Sequence, residues 1–91
     1  MIDEDITIIN KLGLHTRAAA KLVNIASGFQ SKIEMKRQDT GQIANCKSIM
    51  GLLLIGAANG MTLRLLISGD DEHEAREAIV GLIKNCFGEN E

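Results

Sequence analysis

The chain has 91 residues, a formal net charge of −2 and an apolar fraction of 45%. That is long and apolar enough for one small domain, residues 1–91, with its own core, and too apolar for a disordered chain. Two Phe, no Tyr or Trp, and no basic stripe leave little for base stacking or phosphate tracking, which disfavours nucleic-acid binding. The opening residues MIDEDITII are acidic where a signal peptide needs positive charge. The longest apolar run, around Leu52 to Ile55, is too short for membrane insertion. A cytoplasmic protein is expected. There Cys46 and Cys86 are expected as reduced, half-buried thiols, since their spacing suits no metal site.

Ile6 and Ile8 alternate with Asp5 and Thr7 and predict a first strand. Ile9 breaks the alternation, so the far face of that strand is expected to be partly covered. Gly13 marks a loop. From Thr16, apolar residues at Ala19, Leu22, Val23, Ile25 and Ala26 make one face of a helix, with Gly28 as its stop. Ile33, Met35 and Arg37 alternate with Lys32, Glu34 and Lys36, and a turn ending at Gly41 leads to a short strand from Gln42 to Cys46. Residues 31–46 are thus predicted as a hairpin.

Lys47 and Ser48 precede a short apolar helix, Ile49 to Ile55, that stops at Gly56. After a turn at Asn59-Gly60, Leu63, Leu65 and Ile67 share one face of a strand spanning Met61 to Ser68. Asp70 and Asp71 offer cap oxygens to a last helix, with Glu74 following as its first-turn acid. That helix carries Ala75, Ala78, Ile79, Leu82, Ile83 and Cys86 as an apolar stripe, and Glu72 and Arg76 are spaced to pair. The whole predicts a two-layer α+β domain: a four-stranded antiparallel sheet with three helices on one side, in the order βαββαβα.

The stretch GLHTRAAAKLV places His15 where the chain enters the first helix. The first N–H groups of a helix lack partners and carry partial positive charge. That field disfavours a protonated imidazole and keeps the ring nucleophilic. A phosphoryl group on it would meet the backbone N–H donors of Thr16 and Arg17 and the Arg17 guanidinium. From these residues alone, a solvated histidine beside a surface arginine explains the pattern as well. No carboxylate pair, Walker loop or metal set accompanies His15, which weighs against a small hydrolase using it as a nucleophile. His73, among Glu72, Glu74 and Glu77, is expected in solvent without a role.

Three stretches, NKLGLHTRAAAKLV, CKSIMGLLLIGAANG and GDDEHEAREAIVGLI, together resemble the histidine-containing phosphocarrier protein (HPr) family of the bacterial phosphotransferase system. The resemblance covers nearly the whole chain. It implies an open-faced β-sandwich. It implies that His15 accepts a phosphoryl group on Nδ1 from enzyme I and passes it to IIA domains of sugar permeases, with Arg17 stabilising the group. Ser48 matches the serine that a kinase/phosphorylase modifies in regulated members. No cofactor or metal is implied, and a monomer is expected. Ala18 stands where members commonly have proline, which bears on loop rigidity and on branch: a nitrogen-branch or regulatory paralogue is the alternative.

The helix at 49–55 has too few polar residues for a free surface. Leu52 and Ile55 are assigned to the core. Ile49, Met50 and Leu53 are assigned to an exposed partner-binding patch near His15, ringed by Arg17, Lys21 and Lys47.

Overall fold

Period-two alternation and one-sided helical stripes can be satisfied together only if every apolar face meets one interior. The computed structural model describes residues 1–89, so residues 90–91 of the expected 1–91 unit lie outside the described residues. Its elements are β1 (Ile2–Thr7), α1 (Thr16–Ala26), β2 (Lys32–Arg37), β3 (Ile43–Asn45), α2 (Ile49–Ile55), β4 (Thr62–Ser68) and α3 (Glu72–Lys84), followed by a 3₁₀ turn at Cys86–Gly88. The sheet order is β1-β4-β2-β3 with every pair antiparallel. Ile6, Ile33, Met35, Ala44, Leu63, Leu65 and Ile67 point inward and pack with Ala19, Leu22, Leu52, Ile55, Ala75 and Ile79 of the helices. The opposite sheet face is wet: Arg64 pairs there with Asp3 and, at 3.1 Å, with Asp5.

The predicted α+β fold and element order are therefore found, with local departures. Ile9 lies two residues past the end of β1 and is 47% exposed. α1 ends at Ala26, two residues before Gly28, which is not left-handed. α2 stops at Gly56 as expected, and that residue is a left-handed C-cap at φ +65°. In α3, Val80 is buried and Ala78 and Leu82 are only half-buried; α3 ends at Lys84, so Cys86, expected on its stripe, falls in the 3₁₀ turn and is also half-buried. Cys46 is fully buried, and burial, with Glu34 nearby, pushes its thiol up to about 12.

Two polar expectations are corrected. Asp71 precedes α3 but gives no side-chain cap. Its carboxylate turns instead to the N–H groups of Gln30 (2.8 Å) and Ser31 (3.0 Å) and to the Ser31 hydroxyl, tying the start of α3 to the turn after α1. The Ser31 hydroxyl bond is the main reason the Asp71 carboxyl lies below its ordinary value. Arg76 does not pair with Glu72, whose carboxylate accepts from Gly69 N–H (3.2 Å). Arg76 grips Glu4 at 2.9 Å through two nitrogens and Glu77 at 2.9 Å. Glu4 falls on the helix side of β1 by strand alternation, within reach of the guanidinium, and a bidentate pair outcompetes a single turn-spaced contact.

The loop that carries His15 is set by Gly13. Its φ is +67°, and a Cβ there would lie 2.7 Å from the Ala57 carbonyl oxygen and 2.9 Å from Ala58 Cα. Leu14 N–H donates to that same Ala57 oxygen at 2.9 Å. Gly13→Ala therefore meets both a left-handed backbone and a backbone clash. It is expected to lower Tm by at least about 4 °C, the shift that roughly 1 kcal/mol makes in a domain of this size. Thermal unfolding followed by circular dichroism checks this, and an unchanged Tm would mean that the loop does not sit against Ala57.

Candidate functional site

His15 is the N-cap of α1, with extended φ −80° and ψ 179° and no side-chain cap bond. The first intrahelical bond runs from Ala19 N–H to the His15 carbonyl (2.8 Å). The earlier N–H groups, at Thr16 and Arg17, meet no acceptor among the described residues, so the helix start presents the donors the sequence predicted. Ala18, the third helical residue, is fully buried and needs no donor for the helix. Alanine there begins the helix without proline.

The imidazole is 24% exposed. Its Nε2 lies 2.6 Å from Glu89 Oε2. Arg17 Nη2 donates to the same oxygen at 3.1 Å, and Asn10 Nδ2 donates to Glu89 Oε1 at 3.0 Å. Burial pushes the Glu89 carboxyl up, but the bonds from Asn10, His15 and Arg17 outweigh it and hold the group below the ordinary carboxylate range. Nδ1 of His15 has no partner among the described residues. Beside this cluster, Arg17, Lys21, Gly88 and Glu89 line an open depression of about 320 Å³.

The structure brings His15 and Arg17, both singled out in the sequence, together with Glu89 and Asn10, which were not. Glu89 is 74 positions from His15 and reads locally as an ordinary acidic tail. Asn10, just before the Gly13 loop, carries a weak signal: a small amide where a turn begins.

The proposed surface is distributed differently. Ala57, just past α2, touches Gly13 and Leu14, whereas Lys47, just before α2, donates to Phe29 O beyond the end of α1 (2.7 Å). The two helices therefore run antiparallel, with Ser48 toward the far end of α1 and Leu53 and Leu54 toward His15. Ile49 is 41% and Met50 65% exposed. Leu53 is half-buried, and Leu54, not assigned to the patch, is 66% exposed. A seven-residue helix leaves the rotation of its faces underdetermined, and the packing of Leu52 and Ile55 turned Leu54 outward. Lys21 is half-buried and donates to Phe87 O at 2.7 Å. Ser48 caps α2 through its hydroxyl oxygen, which accepts from Gly51 N–H at 3.1 Å.

A family model described as the PTS HPr component phosphorylation site matches residues 2–85. A phosphocarrier protein HPr of Cupriavidus necator is 48% identical over 91 residues, covering all of both chains. A crystal structure of HPr-C-His from Thermoanaerobacter tengcongensis superposes with a TM-score of 0.93 at 43% identity over the full length of both chains. An HPr dimer from that organism is 44% identical over 98% of this chain and all of the other, with a TM-score of 0.76. None of the helices in the described residues is long and apolar enough to cross a membrane. A match in sequence and in fold along the whole chain leaves one conclusion: the chain belongs to the HPr family of phosphocarrier proteins of the bacterial phosphotransferase system.

Proposed function

We propose that this chain takes a phosphoryl group on His15 Nδ1 from phosphorylated enzyme I and passes it to IIA domains of sugar permeases. The observation that carries the reading is the position of His15 in this family's fold: half-buried at the start of α1, with Arg17 beside it and Nδ1 unpartnered among the described residues. The Nδ1 lone pair attacks phosphorus, an N–P bond forms, and the bond from phosphorus to the donor breaks with its electron pair leaving on the donor. Passing the group on reverses these roles. Arg17, 66% exposed, is free to turn its guanidinium fork from Glu89 to the phosphoryl oxygens. The N–H groups of Thr16 and Arg17 favour the added negative charge.

Docking in this reading uses Ile49, Met50 and Leu54, with Leu53 beneath them and the charges of Lys21 and Lys47 at the rim. Ser48 lies at the same helix. A phosphate there, introduced by a serine kinase, would set about two negative charges beside Ile49 and Met50 and would have to be desolvated on docking.

His15→Ala is expected to abolish labelling by enzyme I and phosphoenolpyruvate, read by mass spectrometry, while His73→Ala labels normally. Equal labelling of His15→Ala would refute the acceptor. Arg17→Ala should slow stopped-flow transfer more than Arg17→Lys. Loss of a charge-assisted contact costs about 1.5–3 kcal/mol, and lysine keeps the charge without the fork. Unchanged rates in both variants would remove Arg17 from the reaction. Ser48→Ala should lose about 1 kcal/mol of cap energy and be phosphorylated normally. Ser48→Asp should keep Tm within a few degrees of wild type but accept phosphate about tenfold more slowly, equivalent to ~1.4 kcal/mol. A wild-type rate in that variant would move the docking surface away from Ser48.

A further inference from the structure

We propose that Glu89 and Asn10 are positioning residues for His15: the Glu89 carboxylate fixes the imidazole tautomer that leaves the lone pair on Nδ1, and Asn10 holds the carboxylate in place. This rests on the reading of His15 as the phosphoryl acceptor.

An ionised carboxylate only accepts hydrogen bonds. The 2.6 Å contact between His15 Nε2 and Glu89 Oε2 therefore requires the proton on Nε2. In a neutral imidazole the lone pair then sits on Nδ1. Attack through Nδ1 leaves the ring cationic with its proton still on Nε2, and the carboxylate offsets that charge without itself taking the proton. An aspartate orients and supports a catalytic histidine by the same physics in hydrolytic triads.

The carboxylate is delivered across 74 positions of chain by a costly segment. Cys86, Phe87 and Gly88 have φ of +54°, +55° and +77°, so two residues with side chains adopt the left-handed region in succession. Phe87 is fully buried, and Lys21 Nζ clamps its carbonyl at 2.7 Å. Core burial on one side and the Glu89 contacts on the other hold this turn.

Asn10 is fully buried. Its Nδ2 donates to Gly13 O at 2.7 Å and to Glu89 Oε1 at 3.0 Å. A flipped amide would set its oxygen against two acceptors, so the orientation follows from its neighbours. Its Oδ1 is buried without a partner, alone in this among the described side chains. An apolar residue would avoid that cost, so packing alone does not account for an amide here. What the amide supplies is a grip on Oε1, independent of Oε2. When Arg17 leaves Oε2 for a phosphoryl group, Asn10 keeps the carboxylate against Nε2.

The test uses the full chain with ¹⁵N-labelled histidine, read by NMR with both rings neutral and His73 as internal reference. Wild-type His15 is expected to show Nε2 as the protonated nitrogen and Nδ1 as the lone-pair nitrogen, with little averaging. In Glu89→Ala the two shifts should move toward each other, and phosphoryl uptake from enzyme I should fall about tenfold, as for loss of one hydrogen bond to a charged group. Glu89→Gln, whose amide oxygen still accepts from Nε2–H, should recover most of the wild-type shifts. Asn10→Ala should move them in the same direction as Glu89→Ala by a smaller amount. Because Asn10 also braces the Gly13 loop, Glu89→Ala at the chain end is the deciding variant. A wild-type ring protonated on Nδ1, or His15 shifts identical in wild type and Glu89→Ala, would overturn the proposal. The NMR measurement needs no phosphoryl transfer, so it stands apart from failure of the acceptor reading, which would show as absent labelling of wild type.

Discussion

The contact of the Gly13–Leu14 backbone with Ala57 is the constraint on which the site depends. Leu14 N–H takes the Ala57 carbonyl at 2.9 Å, and only a residue without a Cβ fits before it. Asn59 Nδ2 pins the same loop from the other side, donating to Ile9 O and Asn10 O at 3.1 Å each. With both flanks fixed, the chain leaves β1, turns once and enters α1 with His15 as its N-cap. The loop is thus held by contacts with the segment after α2.

The electrostatics of the site follow from that geometry. One carboxylate accepts from an imidazole, a guanidinium and an amide, and each donor comes from a different part of the loop and helix start. The three differ in how firmly they are held. Asn10 is fully buried, His15 is half-buried, and Arg17 is largely in solvent. The most exposed donor is therefore the one that exchanges partners at least cost in packing. The site is a shallow depression, a shape suited to a group handed between protein surfaces and ill-suited to enclosing a small substrate.

Three basic side chains, Lys21, Arg37 and Lys47, are engaged with the backbone of the fold. Lys21, midway along α1, and Lys47, just before α2, each donate to a backbone carbonyl at 2.7 Å, and Arg37 donates to Ile55 O at 2.9 Å. These contacts satisfy carbonyls left over where helices and turns end. They leave the charges near the surface, so structural use and long-range attraction of an acidic partner are compatible.

What the sequence determined by itself is whatever depends on near neighbours along the chain. Alternation at Leu63, Leu65 and Ile67, the stripe of α1 and the stop of α2 at Gly56 are set by residues a few positions apart, and each is found in the structure. The histidine and arginine at the start of α1 belong to the same class, since a helix start presents its unpaired N–H groups whatever surrounds it. The tertiary structure alone decided which of several equally good local partners each polar group takes. Asp71 had a helix to cap and went to Ser31; Arg76 had Glu72 on its own helix and went to Glu4 on β1. The seven residues of α2 were too few to settle whether Leu53 or Leu54 faces out. Glu89, 74 positions from His15, meets it because the turn at the buried Phe87 brings residues 87–89 against α1. Hydrogen bonds and ion pairs act over a few ångströms in space, and separation along the chain carries no record of which distant groups will come that close.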